Sequence, residues 1–125
     1  MTGFARRPTW VGLVVVAGLS AGCGGDDGAT GTAAAVSVAS TNTACTPSPS
    51  SVAAGPVRFT VDNAGSDATE LYVYQGEKIL SEVENIGPGT KRSLTVTLAA
   101  GTEYRLVCKP GQKGDGISAP ITVHP

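Results

Sequence analysis

Histidine is almost missing from this chain of 125 residues: the one copy, His124, stands next to the C-terminus. No imidazole is therefore placed to act as a general base. Neither a Gly-x-Ser-x-Gly elbow nor a phosphate-cradling glycine loop offers another route to turnover, so the chain reads as a non-enzyme. Basic runs are absent as well. Nine Lys plus Arg against ten Asp plus Glu give a net charge of −1, with no footing for nucleic acid. No heptad or longer repeat marks a coiled coil or a solenoid. The apolar run from Trp10 to Leu19 reaches only half of the roughly 20 residues that a membrane-spanning helix needs. Cysteine occurs three times, at Cys23, Cys45 and Cys108, each in a different context.

The first context is an address. Arg6 and Arg7 precede the apolar run, and the small residues Ser20, Ala21 and Gly22 follow it, which is the pattern of a secretory signal. The residues after the arginine pair do not fit the twin-arginine route, so the pair is a plain basic n-region. Because the small residues end on Cys23, the segment resembles the bacterial lipobox, whose cysteine is lipidated and becomes the new N-terminus. Ser20 stands where the commonest pattern has leucine. The sequence Gly24-Gly25-Asp26-Asp27-Gly28 that follows offers no core in which to bury a free thiol. The resulting division is a lipoprotein signal over 1–22, a lipidated Cys23 with a flexible Gly/Ala/Thr/Asp linker to residue 33, and one domain over 34–125. Loss of Arg6 and Arg7 leaves seven basic against ten acidic residues, a net −3. The expected location is extracytoplasmic, held to the bacterial membrane by the N-terminal lipid, with more than one acyl chain needed for stable attachment.

The domain alternates with a period of two. Val57, Phe59 and Val61 share one face, as do Leu94, Val96 and Leu98, and then Tyr104, Leu106 and Cys108. Turn signals at Asn63-Ala64-Gly65, Gln75-Gly76-Glu77, Gly87-Pro88-Gly89, Ala100-Gly101-Thr102 and Lys109-Pro110-Gly111 separate the runs. Strands are predicted near 34–40, 49–53, 56–63, 69–75, 78–84, 91–98, 102–108 and 116–123. Short strands at this spacing, with no amphipathic helix between them, predict an all-β two-sheet sandwich. The parity of the strand before it turns Cys108 inward, at an end where loops converge.

Gly101 through Gly111, with Tyr104, Leu106 and Cys108 at alternate positions, resembles the strand and loop that carry the cysteine in cupredoxins. Phe59-Thr60-Val61-Asp62-Asn63 resembles their earlier F-x-x-x-N segment. More specifically, Cys45-Thr46-Pro47, Ala68-Thr69-Glu70, Glu82 through Gly89 and Tyr104 through Cys108 are similar to the cupredoxin-like N-terminal domain of the EfeO iron-uptake family. The resemblance covers roughly residues 36–123. It implies a cupredoxin-like Greek-key β-sandwich, iron or copper as the associated metal, and iron-uptake or other envelope proteins as partners. Full-length members of that family carry a further helical domain with its own metal motif; the reading here is of a stand-alone module.

The departures from the cupredoxin pattern bear on chemistry. A type 1 copper site uses two histidines, a cysteine and a weak axial methionine. Here Gly111 stands where one histidine would follow Cys108, Glu70 stands in the place of the other, and the one methionine is Met1. The resemblance gathers Cys45, Cys108, Glu70, Glu82 and Glu84 at one end of the sandwich as candidate ligands. Glu82 and Glu84, two apart, share a strand face. Carboxylates favour hard cations, thiolates softer ones, and the mixture is no signature of one metal. Outside the cytoplasm a cysteine pair in a small domain usually forms a disulfide. A Cys45–Cys108 bridge excludes thiolate ligation while it lasts. Two readings therefore stand: a metal-associated binding module, or a metal-free stapled domain that contacts a partner protein.

Overall fold

The computed structural model describes residues 32–125 together with Gly12. The signal and Cys23 otherwise lie outside the described residues, as does most of the linker. Nine strands follow in order: β1 Ala34–Ser40, β2 Cys45–Ser48, β3 Ser51–Ala53, β4 Gly55–Asn63, β5 Thr69–Gln75, β6 Lys78–Ile86, β7 Lys91–Leu98, β8 Tyr104–Cys108 and β9 Ile117–His124. They form a four-stranded sheet, ordered β2-β1-β4-β7, and a five-stranded sheet, ordered β3-β9-β8-β5-β6. β1 runs parallel to β4, and β3 parallel to β9. The other pairings are antiparallel.

The predicted alternation selects the core. Val36 and Val38 of β1, Val57, Phe59 and Val61 of β4, Leu71 and Val73 of β5, and Leu106 of β8 are almost wholly buried and meet in one cluster between the sheets. Each fully buried side chain of this size contributes roughly 1.5–3 kcal/mol. β1, β5 and β7 begin and end where the sequence places them. The one strand the sequence does not show is β2, because Pro47 and its serine neighbours read as a turn. As the edge of its sheet, β2 pairs only with β1, where Pro47 faces Val38, and a proline is tolerated at such an edge.

Just after β2 the chain crosses from one sheet to the other, through a cis Ser48–Pro49 peptide, to become β3. β3 pairs with only the last three residues of β9, so the edge of β9 from Ile117 to Ile121 takes no strand from this side, and Pro120 lies within it. Cys45 of β2 and Cys108 of β8 are joined by a disulfide, S–S 2.07 Å, which ties the two sheets together. Closing a loop of 63 residues stabilises the fold by about 4 kcal/mol in the chain-entropy account.

Strand direction sorts the connections into two ends. The turns after β1, β4, β6 and β8 lie at one end, with the disulfide. The β3–β4, β5–β6 and β7–β8 turns lie at the other, with the start of β1 and the end of β9. At the first end Asn63 is 1% exposed and joins three stretches of chain. Its Nδ2 donates to the carbonyls of Asp67 and Ile86, both at 2.8 Å, and its Oδ1 accepts from the Gly65 amide at 2.9 Å.

Candidate functional site

Along β5 the parity alternates between two environments. Leu71 and Val73 enter the core, while Glu70, Tyr72 and Tyr74 stand on the outer face of the five-stranded sheet. The neighbouring β6 supplies carboxylates to the same face by way of a bulge. Thr69 faces Ile86 and Leu71 faces Val83, so the single residue Glu70 stands opposite both Glu84 and Asn85. Asn85 takes the extra position with φ +56°, a left-handed conformation that asparagine tolerates better than most residues. The inserted residue lets Glu82 and Glu84 stay on the outer face while Ile86 turns fully into the core. Without it, the parity that buries Val83 would expose Ile86.

Tyr72 lies at the centre of this arrangement. Its hydroxyl donates to Glu70 Oε2 at 2.9 Å and lies 3.4 Å from Glu84 Oε1, and Glu82 is its cross-strand partner. The ring is only 8% exposed although it stands on an outer face. The segment after β8 covers this end of the sheet. The Lys109 amide donates to the Glu70 carbonyl, the Gly111 amide to the Ala68 carbonyl, and the Asn85 amide to Gln112 Oε1. Lys109 lays its Nζ 4.4 Å from the centre of the Tyr72 ring, and Arg105 sits 4.2 Å from that of Tyr74, so two cation–π contacts stack along the sheet. Burial pushes the Tyr72 phenol far above its ordinary range. Its hydrogen bond to Glu70 and the charges of Glu70, Glu84 and Glu82 add to the shift. The proton therefore stays on the phenol at neutral pH, where it is donated to Glu70, itself nine-tenths buried.

The sulfurs occupy the other side of the sheet. Cys45 and Cys108 belong to the core cluster, bonded to each other, and Cys108 pairs with the inward-facing Leu71. The five sequence candidates thus fall into two groups: Glu70, Glu82 and Glu84 around Tyr72 outside, and the cystine inside. The inward residue near the expected ligand position is Thr69, whose Oγ1 lies 3.1 Å from Ser40 Oγ; Glu70 points away from that interior. Among the described residues no three Cys, His, Asp or Glu side chains stand close enough to enclose an ion. The ion pairs found among those residues, Lys91–Asp62 and Arg105–Glu77, leave the three carboxylates out. Tyr72 was not a sequence candidate. Its signal was available in the period of β5, which sets Glu70, Tyr72 and Tyr74 on one face.

Comparison with known proteins places this geometry. Residues 12–123 match the cupredoxin-like domain family. The chain belongs to that family. The iron uptake system component EfeO of Escherichia coli strain K12 is 34% identical over 73 residues, covering 58% of this chain and 19% of the relative. The Shigella flexneri EfeO gives the same values. This cupredoxin-like chain thus spans about one fifth of the length of these curated relatives. Among solved structures, reduced auracyanin from the photosynthetic bacterium Roseiflexus castenholzii superposes with a TM-score of 0.58. It shares 16% identity and covers 76% of this chain and all of that one, a likeness of fold.

The all-β cupredoxin-like sandwich expected from sequence is therefore the observed fold, with similarity to EfeO over part of the chain. The donors of a type 1 copper centre do not fit here. His124 is exposed at the far end of β9, Cys108 is bonded to Cys45, and Gly111 offers no side chain.

Proposed function

We propose that this cupredoxin-like domain is an extracytoplasmic binding module, lipid-anchored through Cys23, that acts in the handling of iron or copper by an EfeO-like envelope system and carries out no turnover. The division into signal 1–22, linker 23–33 and domain 34–125 belongs to the same reading. The observation that carries the metal part is the convergence of Glu70 and Glu84 on the Tyr72 hydroxyl, with Glu82 across the strand pair. All of these are oxygen donors, which suit a hard cation, so iron is favoured over copper on this face. A cation would have to draw the exposed Glu82 or Glu84 inward and take the place of the Tyr72 proton.

Titration of the mature domain with ferric, ferrous and cupric ions, in oxidised and reduced form, tests the reading. Stoichiometric binding by the oxidised domain is expected, lost in Glu70→Ala and retained in Cys108→Ser. Binding that appears only after reduction and is lost in Cys108→Ser would move the site to the thiolates. Absence of binding in either redox state refutes the metal reading. The bonded Cys45–Cys108 pair specifically favours the second reading, a metal-free stapled domain that recognises a partner protein of the envelope. That reading is what remains if no ion binds.

A further inference from the structure

Most edges of the two sheets are ill-suited to take a further strand. β2 has four residues and includes Pro47, β3 has three, and the open part of β9 contains Pro120. β6 is broken by register shifts, and its Glu84 carbonyl already accepts from Arg92 Nη1 at 3.3 Å. β7 differs. It holds eight residues, Lys91–Leu98, in unbroken register with β4, contains no proline, and has no strand on its other side.

The register fixes which backbone groups of β7 are free. The Asn63 amide donates to the Thr90 carbonyl, so the even-numbered residues turn their N–H and C=O toward β4. Lys91, Ser93, Thr95 and Thr97 turn theirs away, and no partner meets them among the described residues. Their side chains are exposed. Leu94 and Val96 stand opposite Phe59 and Val57 on the inward side, yet both stay only half-buried. At the adjoining edge of the other sheet, Leu80 is half-buried too and Ile79 is 44% exposed. A long edge is normally guarded by charge. Here Lys91 is drawn to Asp62 at 3.4 Å and Arg92 to the Glu84 carbonyl, both at one end of the strand, and Ser93 through Leu98 carry no charge.

The edge is its own complement. A second β7 laid antiparallel, with Leu94 on the twofold axis, sets Ser93 opposite the partner's Thr95 and Lys91 opposite the partner's Thr97. Every free N–H and C=O of these residues then meets one on the other copy. Hydroxyl side chains face one another on the outside, and Leu94 meets its own copy on the inside, where apolar surface is left uncovered. Lys91 and Arg92 lie at the opposite end of the pair from their copies, so like charges are not brought together. We infer that two copies of this chain join edge to edge through β7, merging their four-stranded sheets into one continuous sheet across a twofold axis. The pairing closes on itself, since it uses up both β7 edges. The Glu70–Tyr72 cluster lies on the outer face of the other sheet, and the inference rests on neither the metal nor the anchor reading.

Disulfide trapping in cells that produce the full-length chain tests the pairing. Leu94→Cys stands opposite its own copy across a close, non-hydrogen-bonded pair, whereas Val96→Cys faces the partner's Arg92. With an added oxidant, Leu94→Cys is expected to give several-fold more covalent dimer than Val96→Cys. It should likewise exceed the chain without an added cysteine, which measures any contribution of Cys23. Combining Thr95→Pro with Leu94→Cys removes a donor from each side and should lower the trapped dimer roughly ten-fold, while Thr95→Val, which keeps the N–H, should not. Protease resistance identifies any variant that misfolds. Ser93→Cys coexpressed with Thr95→Cys repeats the test from the exposed face, with mixed dimers expected in excess of those either variant forms alone. Equal trapping by Leu94→Cys and Val96→Cys, no dimer above the unaltered chain, a dimer indifferent to Thr95→Pro, or no excess of mixed dimers each overturns the pairing.

Discussion

Replacing Asn63 by aspartate changes one NH2 group into an oxygen and should be among the most damaging isosteric substitutions in this domain. The native amide donates to two carbonyls, those of Asp67 and Ile86, and accepts from the Gly65 amide, in a pocket where it is 1% exposed. No buried side-chain nitrogen or oxygen among the described residues lacks a partner, so no alternative donor waits nearby. A carboxylate keeps the contact with Gly65 but sets a negative oxygen against two carbonyl dipoles. Two lost donations and a buried, uncompensated charge give a destabilisation of about 3–5 kcal/mol. With a urea slope of roughly 1–1.5 kcal/mol per molar for a domain of this size, the midpoint falls by about 2–5 M. The defect should also depend on pH in a definite sense. The introduced carboxyl has its folded pKa raised above the unfolded value near 4, so the deficit is smallest below that unfolded value and grows as pH rises through the folded one. Urea titrations of the disulfide-intact wild type and Asn63→Asp at pH 4 and pH 7 measure both effects. A variant within about 1 kcal/mol of wild type at pH 7, or a deficit larger at pH 4 than at pH 7, would refute the role given to Asn63.

Two further substitutions examine the loop and the outer face. Tyr72→Phe removes the donor to Glu70 and should cost about 1.5–3 kcal/mol at neutral pH, read from urea unfolding. Because the Tyr72 pKa is raised above its unfolded value near 10, the wild type should lose stability as pH climbs past about 10, and the Phe variant should lose less; a pH dependence unchanged by the substitution counts against the cluster. Gly116→Ala would place a Cβ 2.6 Å from Val107 Cγ1 and 2.7 Å from the Cys108 carbonyl, at φ +77°, so the variant should melt well below wild type, and a transition unchanged in differential scanning calorimetry would contradict the packing of this loop.

Much of the fold was legible because period-two patterning and turn residues act locally. β1, β5 and β7 needed nothing beyond alternation, and the inward parity of Cys108 followed from Tyr104 and Leu106. β2 was hidden because an edge strand four residues long, with a proline in it, carries almost no periodic signal. The site was harder to read, since its geometry depends on relations between strands. The resemblance gathered the cysteines and glutamates at one end, and they do lie near one end of the sandwich, but the thickness of a sheet divides sulfur from carboxylate. Which side each residue takes rests on a bulge at Glu84–Asn85 and on whether Thr69 or Glu70 faces inward. Neither follows from spacing within a single strand. Val107 shows the same limit: alternation sets it outward, yet it is 1% exposed because the loop returning to Gly116 packs over it.

The half-paired edge of β9 has a bearing on life in a crowd. Where copies are concentrated, encounters between like edges are frequent and a free strand edge invites them to zip together. On the open side of β9 the groups available for pairing come from alternate residues of the same parity as Thr122, whose amide is taken by the Ser50 carbonyl. Next in that series is Pro120, which has no N–H to give, and beyond it only Ser118 remains before the strand ends. An incoming strand would find one donor where a ladder needs several. A single imino acid thus keeps neighbouring copies from joining at β9 without adding charge to the surface.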